Sequence, residues 1–312
     1  MSFSLETMTI NGLTILQITD LSTLVSVEIS TKGGLLNSWK QGPEKDYFDI
    51  IDGNDFSNGW NGFEGNGFKS GKMSPYSCRL KNGVYQHDGK HYKIEKYYLG
   101  LHAIHGLLYD APFEIINTHS DDKEAFAILS YTYQKTDPGF PFTYEVQLKW
   151  TLSKSNKVTV QTTITSKDSE SFPVMDGWHP YFKLGDTIDN CTIQFTNKGI
   201  LEYDDTLIPT GKIIPNQYFE KGQLLAGMEL DNGYLLDSSH PNCILENENY
   251  KLLVSPDANY GYLQLYTPPH RKSIAIENLS AAPDCFNNKM GLHIMQPHAV
   301  WNLTTSFQLF RK

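Results

Sequence analysis

Residues 144–152 read Tyr144-Glu145-Val146-Gln147-Leu148-Lys149-Trp150-Thr151-Leu152. Apolar and polar side chains alternate along this stretch, and a period of two is typical of a half-buried β-strand. After a polar turn the alternation resumes at residues 158–165. The two runs together predict an antiparallel β-hairpin.

The same alternation dominates the rest of the chain. Further strands are predicted at residues 24–30, 127–133, 191–195, 250–255, 262–266, 273–277 and 302–310. A second hairpin is predicted at residues 83–94, because Asp88-Gly89 tolerates the positive φ angles of a tight turn. No long segment combines helical spacing of apolar residues with a capping residue. The sequence therefore predicts an all-β chain, a large antiparallel β-sandwich that folds as one domain over residues 1–312.

Composition and charge restrict the possible partners. The 312 residues carry 26 basic and 35 acidic side chains, a formal net charge of −9, so no nucleic-acid partner is expected. No apolar run approaches the ~20 residues that span a bilayer, and no secretory signal is visible, so we expect a cytoplasmic protein without a membrane partner. The four scattered cysteines predict free thiols. The sequence does not distinguish a monomer from a homodimer.

One short segment combines an imidazole with three aromatic rings. It runs from Asp176 to Leu184 and contains Trp178-His179-Pro180-Tyr181-Phe182. A histidine among rings is well placed to pass a proton to a ligand that has both apolar faces and hydroxyl groups, as sugars do. The alternative is that His179 is a hydrogen-bonded structural residue.

Three further segments place polar groups where predicted strands end. Arg79 lies in a turn-rich setting, where its fork of donors could grip vicinal hydroxyls. His102 and His105 would point to opposite faces of an extended chain, and with no third ligand nearby no metal site is predicted. Glu277 follows an apolar run at the end of a predicted strand. Partial burial there would raise its pKa and make it a usable base.

Taken in order, these segments resemble those of the aldose 1-epimerase family, the galactose mutarotases, from Gly33-Gly34 to the last strand. The motifs that carry the resemblance are Pro75-Tyr76-Ser77-Cys78-Arg79 with Asn82-Gly83, His102-Ala103-Ile104-His105-Gly106, His179-Pro180-Tyr181-Phe182, Pro209-Thr210-Gly211, Leu230-Asp231-Asn232-Gly233-Tyr234, Gln264-Leu265-Tyr266-Thr267 and Ile276-Glu277. The resemblance implies an all-β supersandwich with its site in an open cleft, a sugar substrate, and no metal or organic cofactor.

The resemblance also implies roles for the matching positions. Glu277 falls where the family has its general base, and His179 where it has its general acid. The positions that hold sugar hydroxyls or support the acid are Arg79, His105, Tyr181, Asp231 and Gln264. The residues that depart from the family's usual pattern are Cys78, His102 and Pro180, and they bear on substrate preference rather than on proton transfer.

These roles imply interconversion of the α and β anomers of a free aldose. Glu277 would take the proton of the C1 hydroxyl while His179 protonates the ring oxygen, from opposite sides of one hexose-sized hollow. Ordinary pKa values near ~6.5 for histidine and ~4.3 for glutamate would leave the acid charged and the base ionised at the same pH without extreme tuning.

Three other functions stay open. A hexose-6-phosphate 1-epimerase would be expected to gather arginines at one rim, whereas the three arginines of this chain are scattered. A non-catalytic sugar-binding protein would use the same cleft but has no need of an acid–base pair. A glycosidase would need two carboxylates that flank the bond, for which Asp231 and Glu277 are the candidates.

The segment from Asp52 to Lys72 is rich in glycine but lacks a phosphate-loop pattern, so it predicts a loop at the rim of a site. Trp60 within it is either a stacking surface for a ligand or an anchor of the loop to the core.

Overall fold

The structure, a computed structural model, describes residues 2–42, 48–60, 62 and 67–312. The strands of this part of the chain are β1 (Phe3–Ile10), β2 (Leu13–Asp20), β3 (Val25–Ser30), β4 (Leu36–Gln41), β5 (Phe48–Asp49), β6 (Gly71–Met73), β7 (Arg79–Leu80), β8 (Val84–His87), β9 (Lys90–Lys93), β10 (Tyr98–Leu99), β11 (His102–Ile104), β12 (Glu114–Ser120), β13 (Glu124–Gln134), β14 (Thr143–Ser153), β15 (Lys157–Ser166), β16 (Phe172–Val174), β17 (Gly177–His179), β18 (Tyr181–Phe182), β19 (Thr192–Phe195), β20 (Asn197–Tyr203), β21 (Pro209–Ile214), β22 (Gln223–Leu224), β23 (Asp231–Leu236), β24 (Cys243–Glu246), β25 (Tyr250–Pro256), β26 (Tyr262–Tyr266), β27 (Ile274–Leu279), β28 (His293–Met295) and β29 (Val300–Arg311).

Helical elements with described bounds are short. They are the 3-10 turns Lys81–Gly83 and Ile188–Asn190 and the helix α1 (Cys285–Asn288). A search of the described residues for a helix long and apolar enough to cross a membrane finds none.

The predicted hairpins are confirmed. Strands β14 and β15 pair antiparallel over their whole length, and buried positions alternate with less buried ones along both. Strands β8 and β9 also pair, and their turn has φ 46° at Asp88 and 72° at Gly89. These are the positive angles for which an Asp-Gly turn is suited.

Two large sheets contain most of the strand residues of the described part of the chain. One has the strand order β12-β13-β14-β15-β29-β25-β24-β19-β22, and the other has the order β21-β20-β23-β26-β27-β17-β6, with β18 also paired to β27. Strands β1 to β5 form a further sheet in chain order. The prediction of an all-β antiparallel sandwich is confirmed, and one domain over the whole chain stays a prediction.

The two large sheets pack face to face. Trp150 of β14 meets Trp178 of β17 with ring centroids 5.1 Å apart, and Phe307 of β29 lies 5.3 Å from Phe182 of β18. The face of β17 that carries Trp178 therefore belongs to the core, and its opposite face is available for a site. The four cysteines are buried and free.

Strand β27 differs from the prediction at its C-terminal end. It continues to Leu279, so Glu277 lies inside the strand and not at its end. All six residues of β27 are buried, because it has neighbours on both sides and is covered on both faces. A strand that is buried on both faces lacks the apolar–polar alternation that would indicate where the strand ends.

Candidate active site

The register of the second large sheet lines up the candidate residues. The pairing of β27 with β17 and β18 puts His179 opposite Glu277, and the pairing with β26 puts Gln264 on the other side of Glu277. Two residues further along, Tyr266 of β26 faces Asp231 of β23. Residues two apart share a face of a sheet, so these side chains lie on the face opposite the core.

Glycines lie at the two ends of this row. Gly71 is the neighbour of His179, and Gly233 is the neighbour of Gln264. A Cβ on Gly71 would be 2.7 Å from a ring carbon of Tyr109, and a Cβ on Gly233 would be 2.5 Å from the hydroxyl oxygen of Tyr203. A tyrosine therefore closes the row at each end, and each tyrosine fits only because the neighbouring residue is glycine.

A second wall comes from β7 and β11, which pair with each other. Arg79 begins β7, and His105 follows β11 with a φ of 58°. Gly106, next in the chain, has a φ of 78°, and a Cβ there would be 2.3 Å from the carbonyl oxygen of Ser74. The sharp turn at these two residues thus requires the glycine, and it leaves His105 facing the sheet.

Rings hold the two histidines in place. The ring of His105 lies 5.0 Å from that of His179 and 4.5 Å from that of Phe68. Tyr181 stacks on His179 at 4.9 Å with an interplanar angle of 18°, and its hydroxyl donates a 3.3 Å hydrogen bond to the carbonyl oxygen of Gly67. Packing against several rings restricts the rotation of the His179 imidazole.

The two walls enclose a cleft of about 270 Å³. The predicted site residues all line it: Arg79, His105, His179, Tyr181, Asp231, Gln264 and Glu277. This volume is slightly below the roughly 300–1,000 Å³ of sites for drug-sized ligands, which suits a monosaccharide.

His179 and Glu277 touch within the cleft. Nε2 of His179 is 3.3 Å from Oε1 of Glu277, and both side chains are almost fully buried. Among the described residues, Nδ1 of His179 and Oε2 of Glu277 have no hydrogen-bond partner. The two groups lie side by side on one wall, so the expectation that they face each other across the hollow is wrong. They are cross-strand neighbours, and the register of β17 and β27 fixes that arrangement.

Burial also changes their ionisation. It lowers the pKa of His179 to about 4 and, with help from Asp231, raises the pKa of Glu277 well above its ordinary value. Desolvation penalises the charged form of each group. The expectation that both keep ordinary pKa values is therefore wrong, because burial favours the neutral form of both groups.

A separate chain of hydrogen bonds lies beside the pair. The hydroxyl of Tyr203 donates to Oε1 of Gln264 at 3.0 Å, and Nε2 of Gln264 donates to Oδ1 of Asp231 at 2.8 Å. Burial raises the pKa of Asp231, while Arg79 and the Gln264 hydrogen bond oppose this shift. The guanidinium of Arg79 makes no hydrogen bond to the described residues, so its donors are available to a ligand.

Sequence reasoning missed several residues of the cleft, and two of them, Tyr203 and Phe68, contact the predicted site residues. Tyr203 and Phe68 both line it, yet neither belongs to a motif that carries the family resemblance. Tyr203 reaches the site only because β20 lies beside β23, and a register of this kind is not visible in a single sequence. Phe68 was visible only as one of several aromatic residues in the glycine-rich segment.

His102 and Trp60 have structural contacts. Nδ1 of His102 accepts a 3.0 Å hydrogen bond from the backbone N–H of Asn82, in the turn that follows Arg79. Trp60 packs against Tyr109 at 5.4 Å and does not line the cleft, which favours the anchor alternative. Within the glycine-rich segment, residues 61 and 63–66 lie outside the described residues. The described residues contain no group of three or more His, Cys, Asp or Glu side chains placed to hold a metal ion.

Solved structures with similar folds come from bacteria and an animal. A galactose mutarotase-like protein from Clostridium acetobutylicum superposes with a TM-score of 0.85 at 16% identity and covers 99% of this chain and 98% of its own. A galactose 1-epimerase from Lactobacillus acidophilus gives 0.82 at 15% identity, with coverage of 99% and 98%. An aldose epimerase homologue from C. elegans gives 0.80 at 18% identity, with coverage of 92% and 96%. At such identities the likeness establishes the fold.

Sequence comparison identifies the family. No curated protein matches the chain significantly. The family model for aldose 1-epimerase matches residues 16–308, which is nearly the whole chain. The chain therefore belongs to the aldose 1-epimerase family and is an isomerase of that class.

Proposed function

We propose that this protein interconverts the α and β anomers of a free aldose, with Glu277 and His179 as the proton-transfer pair. The observation that carries the proposal is their 3.3 Å contact inside a sugar-sized cleft, where each keeps one unpartnered atom. A purely structural pair in this position would be expected to use its hydrogen-bonding atoms on protein partners.

The reaction needs one proton acceptor and one proton donor. Glu277 takes the proton of the C1 hydroxyl, and His179 gives a proton to the ring oxygen as the bond between C1 and that oxygen breaks. The open-chain aldehyde turns about its C1–C2 bond. Reclosure reverses both transfers, so the enzyme returns to its starting protonation state with the other anomer bound.

The protonation state that burial favours is compatible with this cycle. A neutral glutamic acid beside a neutral imidazole has the same total number of protons as a carboxylate beside an imidazolium. The 3.3 Å contact lets the proton pass from Glu277 to His179 before the sugar reacts. Charged donors and the sugar hydroxyls then replace the solvation that burial removed.

The remaining cleft residues are suited to hold the sugar. Arg79 offers unengaged donors, and Asp231 and Gln264 form a fixed hydrogen-bonded pair that can bind hydroxyl groups. His105 is kept neutral, because burial and the nearby His179 and Arg79 lower its pKa well below its ordinary value. A neutral imidazole can both donate and accept a hydrogen bond, as a hydroxyl does.

The charge of the cleft favours a neutral sugar over a sugar phosphate. Among the described residues that line it, Arg79 is the single basic group apart from the two histidines, and the carboxyl groups of Asp231 and Glu277 line the same cleft. Arg271 is engaged by Asp189 and by backbone carbonyls. A phosphate site normally presents several unengaged cations.

Polarimetry tests the proposal. Freshly dissolved α-anomers of glucose, galactose, xylose and glucose 6-phosphate are followed with and without enzyme, and the spontaneous rate is subtracted. We expect catalysed anomerisation of at least one free aldose and a much lower kcat/KM for the phosphate ester. Calorimetric binding of these sugars without any catalysed anomerisation would instead identify a sugar-binding protein, and a preference for glucose 6-phosphate would identify a sugar-phosphate epimerase.

A further inference from the structure

Two buried side chains hold the turn that follows Arg79, and the proposed reaction uses neither of them. The turn is the 3-10 segment Lys81–Gly83, and the first N–H groups of a helical segment have no partner within it. Oδ1 of Asp284 accepts a 2.9 Å hydrogen bond from the N–H of the first residue of the turn, and Nδ1 of His102 accepts a 3.0 Å hydrogen bond from the N–H of the second. Asp284 is 5% exposed and His102 is 6% exposed. We call these two side chains the turn clamp.

Strand β7, which carries Arg79, is weakly fixed by its own sheet. It has two residues, lies at the edge of a three-stranded sheet and pairs there with β11. The chain then leaves the sheet through left-handed conformations, with φ 53° at Asn82 and 65° at Gly83. Such a conformation is unfavourable for a non-glycine residue and persists where the surrounding contacts fix it. The turn clamp supplies these contacts.

The guanidinium of Arg79 depends on the backbone for its position. It makes no hydrogen bond to the described residues in the empty cleft. Its charge acts to lower the pKa of both Asp231 and His105, which lie on different walls of the cleft, so it is within electrostatic reach of both walls. A long side chain without a partner at its tip is aimed chiefly by its Cα and Cβ. A shift of β7 would therefore move the donors of Arg79 away from a bound hydroxyl, and misplacement of about 1 Å is enough to weaken such a contact.

The turn clamp also links the two walls of the cleft. Asp284 belongs to the segment that follows β27, the strand of Glu277. His102 begins β11, and the same chain continues directly to His105. The two hydrogen bonds therefore tie the turn after Arg79 to the segment of the proton acceptor and to the strand that precedes His105. Their loss would leave the distance from Arg79 to Glu277 poorly fixed.

From these contacts we infer that His102 and Asp284 are positioning residues, which set the place of the Arg79 guanidinium relative to the bound sugar without lining the cleft themselves. This inference rests on the proposed function, because Arg79 is assigned there to the sugar hydroxyls. A group that binds a hydroxyl remote from C1 holds the sugar equally well in the ground state and in the transition state. Loss of its position should therefore raise KM and leave kcat nearly unchanged.

A double-mutant cycle between His102 and Arg79 tests this role. His102→Leu removes the hydrogen-bond acceptor. His102→Asn keeps an acceptor, because Oδ1 of asparagine is as many bonds from Cβ as Nδ1 of histidine. Both substitutions are made in the wild-type protein and in Arg79→Met. The KM and kcat for the preferred aldose are measured by polarimetry, and the dissociation constant (Kd) of the same sugar is measured by calorimetry.

Two further variants complete the test. His87→Leu is the matched control, because Nε2 of His87 lies 2.8 Å from the carbonyl oxygen of Ser171 and the residue does not line the cleft. Asp284→Gly, made in the same two backgrounds, removes the other half of the turn clamp, and glycine accepts the φ of 58° at that position. It provides the same comparison in case His102→Leu does not fold.

We expect His102→Leu and Asp284→Gly each to raise KM and Kd by about tenfold, the scale of one hydrogen bond to a charged group, with kcat within about threefold of the wild type. His102→Asn and His87→Leu should keep KM within about twofold. In Arg79→Met, loss of either half of the turn clamp should change KM by less than about twofold, because the group that the clamp positions is absent.

Three results would overturn this inference alone: equal rises of KM in the two backgrounds, an unchanged KM in the clamp variants, or a loss of rate confined to kcat. Sugar binding without turnover would overturn the proposed anomerisation, and Kd would then decide the inference by the same comparison. Absence of both turnover and binding with every sugar would overturn the proposed function and the inference with it.

Discussion

Two buried pairs of a basic and an acidic side chain lie on opposite faces of the same sheet. Nζ of Lys72 is 2.5 Å from Oδ1 of Asp176, and Nε2 of His179 is 3.3 Å from Oε1 of Glu277. Lys72 pairs in register with Trp178 on the core face, whereas the next residue along, His179, points to the cleft. Burial lowers the pKa of both basic groups and raises the pKa of both acids.

The pairs differ in what else they contact. Asp176 also accepts a 2.8 Å hydrogen bond from the Tyr260 hydroxyl, and Nζ of Lys72 lies 4.3 Å from the centre of the Trp178 ring. His179 and Glu277 keep unpartnered atoms and line the cleft. A perturbed pKa is thus common to both pairs, and the unused hydrogen-bonding capacity beside a cavity marks the pair suited to chemistry.

The largest expected effect separates the pairs by activity. Glu277→Gln removes the proton acceptor at nearly constant volume, so the anomerisation rate should fall by about 10²- to 10⁴-fold. Thermal unfolding followed by circular dichroism should show an intact fold. A rate within tenfold of the wild type would contradict the proton-transfer role of Glu277, which would then be a structural residue like Asp176.

The next effect separates them by stability. Lys72→Met leaves the carboxylate of Asp176 buried without its cation, which should lower the free energy of unfolding by about 3–5 kcal/mol. Urea unfolding measures this loss. The double variant Lys72→Met/Asp176→Leu removes both charges and should recover most of it. A loss below about 1 kcal/mol in the single variant would contradict the structural assignment.

The pH dependence tests the pKa shifts of the pair. Below about pH 4, His179 gains a proton, and the raised pKa of Glu277 keeps that group protonated, so the pair has no acceptor and the rate falls. As the pH rises above the pKa of Glu277, the pair loses the proton that it transfers, and the rate falls again. The acid-side fall in kcat/KM should therefore lie near pH 4, the lowered pKa of His179, and not at ~6.5, the ordinary pKa of histidine. A loss of rate as the pH is lowered through ~6.5 would contradict the lowered pKa of His179.

The smallest effect concerns the support of the site. Tyr203→Phe removes the hydrogen bond to Gln264 and should lower kcat/KM by roughly two- to tenfold, the value of one ordinary hydrogen bond. Tyr218→Phe is the matched control, because Tyr218 is 52% exposed and away from the cleft. Equal rates for both variants would remove Tyr203 from the site.

Much of this arrangement was predictable because local patterns dictate it. The hairpin of β14 and β15 follows from a period of two, and its apolar positions are indeed the buried ones. The candidate residues were found through short motifs whose order resembles that of a known family. In the structure, all of these candidate residues line the cleft.

The remainder depends on pairings between distant segments. Glu277 was placed at the end of a strand because β27 is buried on both faces and shows no alternation. The contact of Glu277 with His179, and the access of Tyr203 to Gln264, follow from the register of strands far apart in sequence. The pKa shifts follow from burial, which a single sequence does not specify.

The most direct measurement is the anomerisation rate of the double variant Glu277→Gln/His179→Asn beside those of the two single variants. Groups that act as one proton-transfer unit lose nearly the whole rate when either is removed. We predict that all three variants fall to the same residual rate, within a few-fold. Losses that multiply in the double variant, or a near wild-type rate in either single variant, would contradict the claim that Glu277 and His179 act together.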